Sequence, residues 1–257
     1  MSVRREGVAA CAFEDSQGFG QLLAIGGSNG TGILATCEQA TCTMHVNGKD
    51  SDLNHFFDLP DMPVNRSNAA ACVLAAEHSG DPCVVAIGGF TDAGAVLDRV
   101  DTLGYVTNAW DSITPMHSAR AMHGSCVHAN RVFVAGGTDG KNALNTVESY
   151  DSREGRWRHH VPFKHARVGA TLGYLDDRLT LVGGRCYHDS IAISEFQSTE
   201  RAMARQDPTY KTARIREYPD CLEVLDLRMP QWEQVDLAPA PDRAQGVDRV
   251  CAAYAVF

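Results

Sequence analysis

Short apolar segments of four to eight residues alternate with clusters of Gly, Asp, Asn and Pro along most of the chain. Segments of this length between turn residues predict antiparallel β-strands joined by hairpins. The longest apolar runs, such as residues 83–87, are far shorter than the roughly 18 residues that a membrane-spanning helix needs. The pattern therefore predicts an all-β protein with no membrane span.

Glycine doublets end an apolar segment four times. Their first glycines are 62, 48 and 47 residues apart, and self-similarity near a 50-residue period indicates a repeat architecture. Glycine at the end of a strand lets a neighbouring backbone approach closely. The four doublets are Gly26-Gly27, Gly88-Gly89, Gly136-Gly137 and Gly183-Gly184.

Bulky rings and arginines repeat in register with these doublets. An arginine follows the ring after ten residues, as Arg167 follows Trp157, and Phe56 takes the place of the ring in the first repeat. A four-stranded sheet cannot bury both faces alone, so it stacks on the next sheet, and large rings fill the space between them. The structural ring positions are Trp110, Tyr150, Trp157 and Trp232.

This order of Arg, small apolar strand, apolar strand ending in Gly-Gly, Tyr and Trp resembles the kelch family over essentially the whole chain. The resemblance implies a kelch-type β-propeller of four four-stranded blades plus the first strand of a fifth. We expect the blades at residues 5–62, 63–115, 116–162 and 163–240, a partial blade at 241–257, and a loop insertion at about 185–220.

Kelch rings usually hold five to seven blades, so the resemblance implies an incomplete ring, as expected for a segment of a longer protein or a truncated gene model. An open ring exposes strand edges and apolar blade faces, which favours self-association. Two alternatives stay open at this point. The chain forms a four-blade ring with an irregular tail, or it pairs its open end with another copy.

Composition narrows the classes of partner. The formal net charge is −9 with no cluster of Lys and Arg, which argues against nucleic acid and membrane surfaces. Nine cysteines without a C-x-x-C pair, and an N-terminus without a secretory signal, predict reduced core thiols in a cytoplasmic or nuclear protein. We expect neither a metal nor a cofactor.

Arg5, Arg66, Arg120 and Arg167 occupy one place in the repeat, so we expect them at one radius near the mouth of the central funnel. Guanidinium groups there would hold carboxylates in bidentate pairs. The kelch resemblance implies that these positions help to grip an acidic segment of a protein partner, in which case their loss leaves the melting temperature nearly unchanged. The alternative is that each arginine pairs within the fold, with a blade carboxylate or a backbone carbonyl.

The fourth repeat offers a second candidate. Gly183 to Trp232 spans 49 residues, against 22 and 21 for the same step in the second and third repeats. Loops of this length are usually functional or disordered, so we predict partner contacts at Tyr187, His188 and Phe196. A tolerated decoration is the alternative.

Histidines recur in the connections between the predicted blades. They could gather near one face, and we favour solvated or partner-contacting histidine over a metal site. The neighbouring Cys186, His188 and Asp189 have no second cluster to support catalysis, so no catalytic residue is predicted. The histidines of the connections are His117, His123, His159, His160 and His165.

Taken with the resemblance, these observations favour a protein–protein interaction module rather than an enzyme. The family resemblance further suggests the substrate-recognition part of a ubiquitin-ligase adaptor. Two alternatives remain: a propeller enzyme acting on a small carbohydrate, similar to a sialic-acid mutarotase or epimerase, and an actin-binding or structural scaffold. Fold alone does not choose among them.

Overall fold

A computed structural model describes residues 1–43, 52–53, 55–75, 80–175, 178–186, 221–226 and 232–236. These residues form 17 strands arranged in four antiparallel sheets, which confirms the all-β prediction. Within the described ranges there is no helix, and so none that is long and apolar enough to cross a bilayer.

Each sheet is a meander of consecutive strands. The first contains β1 (Ala9–Glu14), β2 (Gly20–Ile25), β3 (Cys37–Thr43), and two short strands that both pair with β3, namely β4 (Asp52–Leu53) and β5 (Phe57–Leu59). The second contains β6 (Ala70–Ala75), β7 (Pro82–Ile87), β8 (Val100–Gly104) and β9 (Ala109–Ile113). The third contains β10 (Gly124–His128), β11 (Arg131–Ala135), β12 (Val147–Asp151) and β13 (Arg156–His160). The fourth contains β14 (Arg167–Leu175), β15 (Arg178–Cys186), β16 (Cys221–Asp226) and β17 (Trp232–Asp236).

The first strands of the four sheets are neighbours in chain order, β1 beside β6, β6 beside β10 and β10 beside β14. They therefore form the inner side of an arc of blades. In the part of the chain that the structure describes, no strand pairing joins the fourth sheet to the first, so hydrogen bonds do not close the ring. The prediction of four blades of antiparallel strands is confirmed. The proposed strand of a fifth blade, at 241–257, lies outside the described residues.

Apolar side chains fill the spaces between neighbouring blades. In β7 the side chains of Val84 and Ala86 pack towards the first blade, whereas those of Val85 and Ile87 pack towards the third. All four are 0% exposed, which explains why the sequence of β7 is a continuous apolar run instead of an alternating one. In the fourth blade, Leu179 and Leu181 pack against the third blade, and Val182 lies on the opposite face, where it is 37% exposed. Self-association through such an exposed face stays a prediction.

The tryptophans tie the outer strands of one blade to the preceding blade. Trp157 Nε1 donates to the Thr114 carbonyl at 2.8 Å, and Trp110 Nε1 donates to the Pro60 carbonyl at the same distance. Both acceptors lie just after the last strand of the preceding blade. The indole thus buries apolar area between two blades and also finds a partner for its one polar atom. The side chain of Trp232, where β17 begins, lies outside the description.

Each of the first three glycine doublets marks the point where one blade contacts the next. Gly88 has φ +59°, and a Cβ there would approach the Arg120 carbonyl oxygen much more closely than the 3.0 Å below which real Cβ atoms essentially never come. Gly89 donates its amide to that same oxygen at 2.9 Å. Gly27 and Gly137 donate in the same way to the carbonyls of Arg66 and Arg167, at 2.9 and 2.8 Å.

A further series of hydrogen bonds crosses the inner strands. Asn68 donates its amide to the Gly7 carbonyl at 2.7 Å, Met122 donates to Asn68 at 2.8 Å, and Gly169 donates to Met122 at 2.8 Å. All four residues have positive φ, between 51° and 72°. Each stands two positions after a repeated arginine, so the same turn leads into every blade.

Replacing Gly88 with alanine tests the close approach of the blades. A matched control is Gly94→Ala, because Gly94 also has positive φ, +74°, but no described atom lies within 4 Å of its added Cβ. We expect the control to lose about 1–2 kcal/mol of unfolding free energy from the left-handed backbone alone. Gly88→Ala should lose about 1–3 kcal/mol more, from overlap with the Arg120 carbonyl. Urea unfolding measures both, and equal losses would contradict the close approach.

Candidate functional site

The predicted arginines lie inside the blades. Arg66, Arg120 and Arg167 are 0% exposed, and the side chain of Arg5 is 1% exposed. Arg120 Nη1 donates to the carbonyls of Gly136 at 2.9 Å and Thr146 at 3.3 Å, while its Nη2 pairs with a carboxylate oxygen of Glu148. The side chain is therefore held entirely by groups of its own blade.

The other three arginines repeat this arrangement. Each donates Nη1 to the carbonyl of the first glycine of the doublet in its own blade: Arg5 to Gly26 at 2.9 Å, Arg66 to Gly88 at 3.3 Å, and Arg167 to Gly183 at 3.0 Å. Arg66 Nη2 pairs with Asp101, and Arg5 Nη2 lies 3.6 Å from Glu38.

The main chain of Arg66, Arg120 and Arg167 is bound to the preceding blade. Arg120 donates its amide to the Leu97 carbonyl at 3.1 Å, and its carbonyl accepts from Gly89. Arg167 does the same with Leu144 at 3.0 Å and with Gly137. Each of these residues thus joins two blades, by its main chain to one and by its side chain to the next. We call this arrangement an arginine joint.

A buried acidic residue pairs with three of the four arginines, and sequence reasoning did not single it out. Glu38, Asp101 and Glu148 are each the second residue of the third strand of their blades, and each is 0% exposed. The signal was available: an acidic residue follows one apolar residue at the start of each of these strands. A buried carboxylate at a repeated position requires a repeated cation.

The electrostatics of the joint favour the charged forms. Burial alone would raise the pKa of Glu148, but the nearby Arg120 guanidinium and the amide of His117 outweigh it and hold the pKa below its ordinary 4.5. Burial also lowers the pKa of Arg120 from 12.5, and Glu148 opposes that shift. Arginine remains protonated under these conditions, so the joint is an ion pair.

These contacts correct the prediction of an arginine-lined rim that grips an acidic segment. A guanidinium that is buried and bound within its own blade offers no donor at the surface. The four positions make equivalent contacts, and these are the contacts of the alternative that the sequence left open, in which each arginine pairs within the fold with a blade carboxylate or a backbone carbonyl. Tyr187, His188 and Phe196 lie outside the described residues and stay predictions.

The structure brings two of the predicted histidines together. The rings of His117 and His159 have centroids 4.2 Å apart, and His117 Nδ1 lies 3.0 Å from Glu148 Oε2. His123, by contrast, is 7% exposed, and burial, together with the nearby Arg120, lowers its pKa to about 3, so it is a neutral core residue. His160 Nε2 lies 2.8 Å from Ser149 Oγ instead of joining the pair.

The loops that follow the glycine doublets form an exposed surface at one end of the blades, which we call the loop face (residues 28–36, 90–99 and 138–146). Asp92 connects two of these loops, since its Oδ1 accepts from the Ile33 amide at 2.7 Å and its Oδ2 accepts from the Asn65 side chain. At the loop tips Thr31, Ala93 and Lys141 are exposed. The loop face is thus preformed and spans three blades.

Comparison with known proteins agrees with this geometry. A family model described as the Kelch motif matches residues 119–159, which contain the third blade except the last residue of β13. The solved structure titled "Structure of YjhT" superimposes with a TM-score of 0.60 over 93% of this chain and 66% of that chain, at 15% identity. The fold is a kelch-repeat β-propeller. At that identity the likeness to YjhT shows the fold alone.

Kelch-like proteins are similar to part of this kelch propeller. Kelch-like protein 40 of Xenopus tropicalis is 29% identical over 106 residues, which are 41% of this chain and 17% of that protein. Kelch-like protein 4 of Homo sapiens is 34% identical over 76 residues, 30% of this chain and 10% of that protein. Kelch-like protein 9 of Mus musculus is 34% identical over 91 residues, 34% of this chain and 15% of that protein. The chain therefore matches a small part of the length of these relatives.

Truncating one arginine tests whether the joint is structural. Arg120→Ala leaves Glu148 buried without its cation, so we expect the propeller to lose about 3–5 kcal/mol of unfolding free energy in urea. The exposed Arg153→Ala is the control and should change it by less than about 0.5 kcal/mol. A loss at Arg120 no larger than that of the control would mean that its side chain does not join the blades.

The depressed pKa of Glu148 predicts a pH dependence. Because the pKa is lower in the folded propeller, the contribution of this group is complete above its unfolded value near 4.5 and is lost as pH falls through the folded value. Stability measured from about pH 7 down to pH 3 should therefore decline less steeply in Glu148→Gln than in the wild type. The exposed Glu14→Gln serves as control, and identical slopes in all three proteins would refute the linkage.

Proposed function

We propose that this chain is a protein-interaction module that binds its partner on the loop face. The observation that carries the proposal is the bond network around Asp92, which holds loops of two blades in one arrangement while their tips stay exposed. A surface that is ordered before binding loses less conformational entropy when a partner docks. Exposed loops on a rigid scaffold are also where recognition residues concentrate.

The inner strands support an interaction role over thiol chemistry. Cys11 and Cys126 stand at equivalent places in β1 and β10. Burial raises the pKa of both thiols to about 12, with the nearby Cys37 adding to the effect at Cys11. A thiol that stays protonated is a poor nucleophile and a poor metal ligand. We interpret these cysteines as small apolar residues of the blade interfaces.

The finer proposal concerns the kind of partner. The resemblance to kelch-like proteins supports a role as the substrate-recognition part of a ubiquitin-ligase adaptor. Because the arginine joints are buried, the argument for an acidic segment no longer has its original basis. We propose instead that exposed polar side chains of the loop tips, Thr31 and Lys141 among them, select the partner.

A comparison of two triple variants tests the binding face. Thr31→Arg, Ala93→Arg and Lys141→Glu together change the loop tips. Gln17→Arg, Val106→Arg and Arg153→Glu change exposed hairpins at the other end of the blades and form the matched control. Each tagged chain is used for affinity capture from its own cell lysate, with quantitative mass spectrometry.

We expect proteins that the wild type and the control enrich to fall about tenfold or more with the loop-tip variant, equivalent to about 1.4 kcal/mol of binding free energy. Both variants should keep the wild-type melting temperature, since the changed side chains are exposed. The proposal is wrong if the loop-tip variant captures these proteins as well as the wild type does, or if the control loses them equally.

A further inference from the structure

Two exposed histidines and a buried carboxylate meet at the edge of the loop face between the second and third blades. His117 lies in the connection that follows β9, Glu148 lies near the start of β12, and His159 lies near the end of β13. Antiparallel pairing of β12 with β13 sets Glu148 directly opposite His159. One ligand atom from each of the three residues lies within 4.8 Å of the others.

Glu148 acts on this cluster as a positioning residue. Its Oε2 accepts from the His117 amide at 2.8 Å and from His117 Nδ1 at 3.0 Å. Its Oε1 accepts from the Ser118 amide at 3.2 Å and from Arg120. With both oxygens engaged, the carboxylate is an acceptor, and it fixes the imidazole proton of His117 on Nδ1.

That tautomer leaves Nε2 of His117 with its lone pair free for a ligand. The His117 side chain is 46% exposed, so the ring reaches solvent while its other nitrogen is anchored. A carboxylate behind a histidine is the arrangement that orients metal-bound imidazoles in proteins and makes them better ligands. Glu148, which is paired with Arg120 in the joint, thus fixes the orientation and the tautomer of His117 at the surface.

His159 is placed to supply a second nitrogen. Two imidazole nitrogens bound to one tetrahedral zinc at about 2.0–2.1 Å stand roughly 3.3–3.4 Å apart. The rings of His117 and His159 have centroids 4.2 Å apart and both side chains are exposed, so rotation of the His159 side chain can bring one nitrogen of each ring to this spacing. Imidazole donors favour zinc and similar transition metals, whereas magnesium and calcium prefer oxygen.

We propose that His117, through Nε2, and His159 bind a zinc ion at the edge of the loop face, with Glu148 positioning His117. Two protein ligands leave the remaining coordination positions to water. Cys37 and Cys126 do not compete well, since burial raises the pKa of both thiols to about 12. His160 is engaged by Ser149 and His123 is buried, so neither joins the site.

Zinc titration of the full chain by isothermal calorimetry tests the site. Variants His117→Ala and His159→Ala each remove one ligand. His128→Ala is the matched control, because His128 stacks on Tyr174 at 3.6 Å in a hairpin strand away from the loop face. We expect the wild type and the control to bind zinc with equal affinity, and each ligand variant to bind at least tenfold more weakly.

Nitrogen NMR of the imidazole rings gives a second readout that does not depend on the variants. Added zinc should shift Nε2 of His117 strongly while Nδ1 keeps the signature of a protonated nitrogen. No zinc binding by the wild type would overturn the proposal. Binding that is unchanged in both His117→Ala and His159→Ala, or coordination through Nδ1, would overturn it as well.

Discussion

The arginine joint, with the ion pair that Arg66 and Arg120 form inside it, is the constraint on which this fold depends. Apolar contact between blades is non-directional and does not by itself fix how one sheet sits on the next. A buried guanidinium is different, because it is costly unless a carboxylate and hydrogen-bond acceptors meet it in one geometry. The Arg120 side chain meets Glu148 and the Gly136 carbonyl of the third blade while its main chain is bound to Leu97 and Gly89 of the second, so this residue fixes the two blades relative to each other.

The joint also explains the glycine doublets. The carbonyls of Arg66, Arg120 and Arg167 occupy the space where a side chain at the first glycine of a doublet would lie, as at Gly88, and the following amide donates to that carbonyl. Glycine is therefore required by the approach of the next blade as well as by the local turn. The contact between neighbouring blades therefore explains why glycine doublets recur along the sequence.

The arginine joints hold the loops of the loop face in place. These loops begin directly after the doublets, so the joints fix the ends of each loop, and Asp92 then connects two loops to each other. His117 and Ser118, three and two residues before Arg120, bind the same carboxylate as that arginine. The exposed residue His117 is thus linked through hydrogen bonds to Glu148, and so to the arginine joint that holds the second and third blades together.

Much of the fold was predictable because it depends on local pattern. The doublets and Trp110 and Trp157 lie at regular intervals, and they gave the sheets and their order. The role of the arginines was not predictable in the same way. Asp101 is 35 residues after Arg66, and Glu148 is 28 residues after Arg120, so the pairing is visible only in three dimensions.

The positive-φ turn that leads into every blade and the pair of His117 and His159 could not be predicted from the sequence, for a related reason. Asn68 and Met122 adopt positive φ at the places that glycine fills in the first and fourth blades, so residue identity does not reveal the repeat. His117 and His159 were noted as members of a larger set, but nothing local distinguishes them from His123. Only the fold shows that one lies beside a buried carboxylate and another lies in the core.

Residue-resolved hydrogen exchange on Arg120→Met tests the central claim most directly. Methionine keeps the apolar stem and removes the guanidinium, so the account predicts that the Gly89 amide, which donates to the Arg120 carbonyl, loses much of its protection. The Gly27 amide, which donates to Arg66 in another joint, should stay protected. Unchanged protection at Gly89, or equal loss at both amides, would contradict the claim that each arginine side chain fixes its own pair of blades.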